Sequence, residues 1–415
     1  MQTSIHQHSI KWNNKSTVVD QLNPVQRPLV VIGIFFSILL FSLIVSVTSI
    51  TQGVLFIIGI AFGLTLLHAR FGFTSAFRRL LSVGNIQGLQ SHILMLAVAT
   101  TLFGIILSTG FSFTGSGPQG YVFPVGLSVV AGSFMFGIGM QMGSGCASGT
   151  LYTVGGGKSS MILTLLGFIG GSVLGAYHIA FWRGLPSLPA ISLAESTGFG
   201  YFGGWIVQML IFAGIYGITL KIARKKNPPK MKPLATTTGF KKLWRGAWPL
   251  LVAAVILGGL NALTLSIRGN PWGITSAFAL WGSKFLQFLG IDVSSWTYWQ
   301  GNTEALQQTV LADSTSVMNF GIILGAFIAA AFQGNFNPGK IKPGIAAASI
   351  VGGVLMGYGA RLAFGCNIGA YFGGIASFSL HGWVWMIMAL AGTYTALFIR
   401  PLFGLKNPSP KDSIC

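Results

Sequence analysis

The sequence predicts an all-α polytopic membrane protein of about ten crossings, arranged as an inverted-topology repeat with short broken or re-entrant helices. Three observations carry that prediction. Hydrophobic residues make up 52% of the chain and charged residues 7%, with a mean hydropathy of +0.70, whereas a soluble domain carries about 25% charged residues. Continuously apolar runs of roughly 18 or more residues recur along the chain, long enough for a hydrocarbon core about 30 Å thick and unlike the alternating strands of a barrel. Finally, a glycine–cysteine motif, MFGIGMQMGSGCASG around Cys146, returns late in the chain as LMGYGARLAFGCNIG around Cys366. Aligned on the cysteines, Gly132, Gly137, Gly139, Gly145 and Gly149 fall on Gly352, Gly357, Gly359, Gly365 and Gly369.

In chain order, residues 1–27 form a polar tail, too polar for a cleavable signal peptide. A first membrane half is expected over 28–222, with spans at 28–50, 52–68, 92–108, 125–142, 159–182 and 201–220. Span 28–50 stands outside the repeat, and span 201–220 links its two copies. The segment GFTSAF (72–77) is too short to cross, and 109–124 carries no charge. Residues 223–245 belong to a basic loop. The second half, 246–403, holds spans at 247–266, 316–332, 343–362 and 383–403, with GITSAF (273–278) differing from GFTSAF at one position. Residues 404–415 close the chain as a tail, and Cys415 lies there.

Charge supplies direction. The net charge of +19 is concentrated, with nine basic residues between Lys221 and Arg245. That is the distribution of a cytoplasmic loop under the positive-inside rule, not of a nucleic-acid binder, so both termini are expected inside. Asp292, Glu304, Asp313 and Glu195 all fall in loops assigned outside, although acids inform topology only weakly. The order of span, TSAF segment and cysteine motif repeats in the second half but starts from the opposite side. Such repeats build their substrate site near the bilayer midplane from broken helices.

The motif chemistry points the same way. Gly132, Gly137 and Gly139 suit close helix packing. Three glycines in Gly143–Gly149 weaken a helix by roughly 1 kcal/mol each, and free backbone in a membrane is tolerated beside a cavity or inside protein. A lone buried cysteine is usually an inert small hydrophobe. Two at matched offsets, each opening a half-helix whose free N–H groups attract anions, suit a soft, sulfur-bearing anion. The candidate substrate contacts are therefore Cys146, Cys366, Gly145, Gly365, Ser144 and Asn367, with Thr74 and Thr275 of the shorter motif. A soft metal such as Cu(I) is an alternative, using Met135, Met140 and Met142, but the second copy keeps only Met356. Gly155–Ser159 resembles the end of a P-loop without its first glycine or preceding strand. No resident metal or cofactor is expected. His178 is the main titratable candidate within the spans, with a structural histidine as the alternative. Arg361 either draws an anion into the outer mouth or snorkels to headgroups.

The paired segments FGIGMQMGSGCASGTL and MGYGARLAFGCNIGAYFGG resemble the two signature segments of the YeeE/YedE family of sulfur-compound transporters, over about residues 52–403. The resemblance implies a non-enzymatic permease in the inner membrane of a bacterium that takes up thiosulfate, or a selenium compound in the longer branch. It implies that Cys146 and Cys366 touch the substrate through S–H···S contacts, and that a cytosolic sulfur-carrier protein receives it. Thiosulfate-importing members often carry a third cysteine on the first broken helix, where Gly72–Phe77 has none. A membrane sulfurtransferase using a cysteine persulfide stands as a further alternative.

Overall fold

The computed structural model describes residues 22–115, 117–196, 198–228 and 239–409. Most of the N-terminal tail, residues 229–238 of the basic loop, and Cys415 lie outside the described residues. Helix α1 (Arg27–Val47) starts with proline in its first turn, where a missing N–H costs nothing. Ser49 caps α2 (Ile50–Ala69) by accepting from Gln52 N at 3.3 Å, so the chain turns two to three residues earlier than hydropathy suggests. There follow α3 (Phe73–Val83), α4 (Gln87–Thr109), β1 (Pro124–Gly126), α5 (Leu127–Met142), α6 (Ala147–Gly155), α7 (Ser160–Tyr177), the short α8 (Ile179–Arg183) and β2 (Ser187–Ala190).

The second part holds α9 (Gly200–Lys226), α10 (Lys242–Arg245), α11 (Leu250–Arg268), α12 (Thr275–Phe288), α13 (Glu304–Gln307), α14 (Ser314–Phe332) and α15 (Pro343–Leu362). A π-helical turn, Asn367–Phe372, then runs into α16 (Gly373–Ala376), and α17 (Leu380–Ile399) completes the helices. Ten segments among the described residues are long and apolar enough to cross a membrane. The protein is an all-α polytopic membrane protein. One departure from helix is the antiparallel pair of β1 and β2, with Val125 opposite Leu188. The uncharged stretch before β1 leads into it.

Packing reveals the repeat more directly than sequence. The contacts come in exchanged pairs: α2 on α14 and α11 on α4, α5 on α17 and α15 on α7, α3 on α17 and α12 on α7, α6 on α14 and α16 on α4. Each copy therefore completes the other. Helix α9 packs on α4 as α1 packs on α14, so α1 stands to its neighbours as α9 does. At the centre α5 crosses α15 antiparallel on the shared glycines. A Cβ on Gly132 would stand 2.6 Å from Gly359 O, and one on Gly352 would stand 2.7 Å from Gly139 O, the repeat-related contact. These approaches admit no side chain, which is the packing use of glycine in membrane helices.

The loops sort onto two faces. On one, Trp248 N donates to His68 O at 3.1 Å, Gly157 lies against Phe336, and Gly84 against Lys226. On the other, Phe113 N bonds Ser266 O at 2.8 Å, and Leu193 N bonds Phe378 O at 2.7 Å. Arg70, Lys226 and Arg245 belong to the first face, and Glu195, Asp292, Glu304 and Asp313 sit in loops of the second. They are called the basic and acidic faces below.

Candidate functional site

Both cysteine motifs break their helices in the same way. Helix α5 has 16 residues and spans about 24 Å, less than the about 30 Å of a hydrocarbon core. At the break Ser144 has φ +60°, and its repeat counterpart Phe364 has φ +58°. Non-glycine residues held in the left-handed region cost of order 1–3 kcal/mol each. Phe364 is held by stacking on Phe123, with ring centroids 4.7 Å apart. Gly365, at φ +148°, adopts a conformation open to glycine.

Each break delivers its cysteine to the N-cap of the following helical turn. Cys146 caps α6, its sulfur accepting from Gly149 N at 3.4 Å and lying 3.4 Å from Ser148 Oγ. Cys366 caps the π-turn, its sulfur accepting from Ile368 N at 3.4 Å. Both residues are 1% exposed. Helix α6 packs against the π-turn, and the two thiols lie within electrostatic range of each other. Cys146 Sγ also touches the backbone of Phe73 at the start of α3.

The surroundings are polar and partly unpaired. Among the described residues, Thr74 Oγ1, both polar atoms of the Asn367 side chain, Tyr371 OH and His92 Nδ1 are buried without a hydrogen-bond partner. Buried polar groups are ordinarily bonded, so a cluster of orphans points to water or ligand. Tyr371 and His92 both contact Phe73, at 5.8 and 4.3 Å between ring centroids.

A cavity of about 230 Å³ opens from the acidic face. It runs from Arg183 and Tyr298 past Thr275, Ser276 and Arg361 to Gly365 and Gly369, which flank Cys366. Its lining holds two guanidinium groups and no carboxylate. Arg361 is 8% exposed, donates to Thr275 Oγ1 at 2.5 Å and to Tyr298 OH, and lies 5.6 Å from the Tyr298 ring centroid. The snorkelling alternative for Arg361 is thus overturned, because its bonds point into the protein.

Toward the basic face the matching space nearly closes. A cavity of about 30 Å³, the share of one water, is lined by Gly72, Ser75, Arg70, Arg79 and His92. There Gln141 stands where Arg361 stands in the other copy. Its Nε2 donates to Thr74 O at 3.1 Å, and its Oε1 accepts from Arg78 at 3.1 Å. The glycines beside the thiols differ accordingly. A Cβ on Gly369 would meet nothing within 4 Å, whereas one on Gly149 would meet Cys146 Sγ at 3.4 Å. Among the described residues, the larger of these two cavities lies toward the acidic face and the smaller toward the basic one.

Of the residues singled out in the sequence, Gly365 and Thr275 line the outer cavity, Cys366 and Asn367 follow Gly365 directly in the chain, and Cys146 and Thr74 lie outside its lining. Ser144 serves the backbone break, and a Cβ on Gly145 would face Gly149 C and Thr150 N at 3.3 Å. His178 is corrected: it is exposed at the end of α7, 3.2 Å from Tyr358 OH. Among the described residues the buried histidines are His68, His92 and His381; His92 packs on Phe73 and His381 on Phe364. Tyr371, Ser148, Gln141 and Tyr298 were also missed. Gln141 was findable as the lone amide in an apolar run at the position of Arg361. Among the described residues, no group of three His, Cys, Asp or Glu side chains gathers around a common point.

A family model described as sulphur transport matches residues 68–395. The chain belongs to the sulphur transport family. The YeeE/YedE resemblance is borne out, and the protein is a membrane transporter, not an enzyme. The chain is 28% identical over 352 residues to the thiosulfate transporter TsuA of Spirochaeta thermophila, covering 83% of this chain and 97% of that protein. It is 25% identical over 363 residues to TsuA of Escherichia coli, covering 83% and 94%. The probable transporter YedE of Escherichia coli is 33% identical over 178 residues, 42% of this chain and 44% of that one.

Proposed function

We propose that this transporter imports thiosulfate, passing it from the acidic face along Cys366 and then Cys146 to the basic face. The observation that carries the reading is the pair of repeat-related thiols, each capping a helical turn, between a cationic outer cavity and a smaller inner one. The N-caps and Arg361 favour a small anion. The thiols favour one with a terminal sulfur, because a neutral S–H is a weak donor that a soft acceptor engages and releases readily. Conduction needs binding of that kind, strong enough to enter and weak enough to leave. Orphan polar atoms on Asn367 and Thr74 complete the oxyanion contacts.

By the positive-inside rule the basic face is cytoplasmic, with both termini on that side of a bacterial plasma membrane. Arg70 and Arg79 line the exit, where a cytosolic sulfur carrier collects the product. The test is uptake of labelled thiosulfate, with labelled sulfate as control, in proteoliposomes of the full chain. Wild type accumulates thiosulfate and not sulfate. Cys146→Ala and Cys366→Ala each reduce uptake at least tenfold while the protein stays folded. Undiminished uptake in both variants rules out the thiol route; equal uptake of sulfate rules out the sulfur preference.

A further inference from the structure

Away from the transport route, the basic face carries a second built cavity. It is about 630 Å³ and lies where the start of α1 meets the end of α14 and the end of α10. Its rim holds the guanidinium groups of Arg27 and Arg245, and its wall is Val30, Val31 and Phe332. We infer that this cavity binds one anionic phospholipid, its phosphate held by Arg27 and Arg245 and its acyl chains laid along α1 and α14.

The rim is rigid. Gln26 N donates to Ala331 O at 3.0 Å, and Gln26 Nε2 to Phe336 O at 2.9 Å, pinning the entry to α1 against α14. Asn23 and Asn335 bond at 3.0 Å across the same junction. Arg245 Nη2 donates to Asn23 O at 2.8 Å, which fixes one edge of its guanidinium. Its Nε is buried and, among the described residues, without an acceptor. A bonded edge and an unserved donor are the state of an arginine waiting for an anion, and a guanidinium presents phosphate with a planar fork. Arg27 opens α1, so the partial positive charge of that helix end adds to its own.

The wall decides between a lipid and a free ion. Val31 is 66% exposed on a helix read as membrane-spanning, and a lipid-facing groove lies further along α1 and α14, past the packing of Gly33 against Phe327 and Ile328. That groove is lined by Phe36, Leu39, Leu43 and Phe320 with no polar surface. Basic pockets between spans on the cytoplasmic side bind phospholipid headgroups for this reason. The cavity lining contains no carboxylate to oppose the charge.

The experiment is native mass spectrometry of the full-length protein in detergent, titrated with phosphatidylglycerol against phosphatidylcholine of the same chains. At about fivefold per basic residue near the surface, two arginines give a preference of about thirtyfold for the anionic lipid. Arg27→Gln/Arg245→Gln brings the preference to within about twofold of parity, and Arg27→Lys/Arg245→Lys keeps most of it. Should the double glutamine variant fail to fold, Arg27→Gln alone, at an exposed side chain, lowers the preference about fivefold. No preference in wild type overturns the inference, as does a preference unchanged in every glutamine variant. Displacement of the bound lipid by millimolar inorganic phosphate overturns it in favour of a free-anion site.

Discussion

Arg361→Gln isolates the charge of the outer cavity. Glutamine is the residue the first repeat carries at this position, so the substitution makes the outer half resemble the inner one. In the native protein the guanidinium is 8% exposed and bonded through its two Nη atoms to neutral groups, Thr275 Oγ1 at 2.5 Å and the Tyr298 hydroxyl, while its Nε is buried without a partner among the described residues. An anion entering beside Cys366 replaces a neutral acceptor with a charged one. A hydrogen bond to a charged group is worth roughly 1.5–3 kcal/mol, which converts to about a ten- to hundredfold change in affinity. The glutamine can still bond Thr275 and Tyr298, so the fold is expected to persist. The assay is concentration-dependent thiosulfate uptake in proteoliposomes, with thermal unfolding in detergent as the control. KM rises about ten- to hundredfold, and the rate at saturation changes by no more than a few-fold. Arg361→Lys retains the charge and loses the fork, giving an intermediate KM. A wild-type KM in Arg361→Gln refutes the reasoning. So does an equal loss in both variants, which would assign Arg361 to packing.

Three further outcomes follow from the same geometry. Ser144→Gly relieves a left-handed residue and raises stability by about 1 kcal/mol, read as an upward shift of the thermal transition; an unchanged or lower transition contradicts the strain account. Gly139→Val at the crossing of α5 and α15, where a Cβ already meets Gly352 O and Met356 N at 2.7 Å, costs about 1–3 kcal/mol or more, seen as lost monodisperse protein on size exclusion. Native-like yield and melting would show that the crossing relaxes. Gly369→Ala, in open space beside Cys366, leaves melting unchanged and slows uptake, whereas Gly365→Ala at φ +148° lowers the melting temperature. Equal stability of the two variants would refute that contrast.

Much of this protein was legible in its residues because the bilayer is a stringent solvent. A chain with 7% charge and repeated long apolar runs has to satisfy its backbone internally, so helix and span number follow from composition. The Lys221–Arg245 cluster, set against Glu195, Asp292, Glu304 and Asp313, supplied direction. The repeat emerged because both copies need glycine where α5 and α15 touch backbone to backbone, a demand local enough to mark the sequence. Asn367 and Thr275 were found because they sit inside the repeated motifs.

What escaped was what arrives from elsewhere in the chain. His92 enters from α4, far from either cysteine motif, and Tyr371, inside the second motif, has Leu151 at the matching place of the first, so the repeat does not mark it. Hydropathy favoured His178 because it falls in an apolar run, yet the C-terminus of α7 leaves it exposed. Arg361 had two readings in sequence, headgroup or pathway, and Thr275 and Tyr298 decided between them. The sequence by itself determined the helices, their alternation across the membrane and the two matched cysteines. Only tertiary structure decided which face carries the larger cavity, since that depends on a guanidinium in one copy and an amide in the other meeting partners from distant helices.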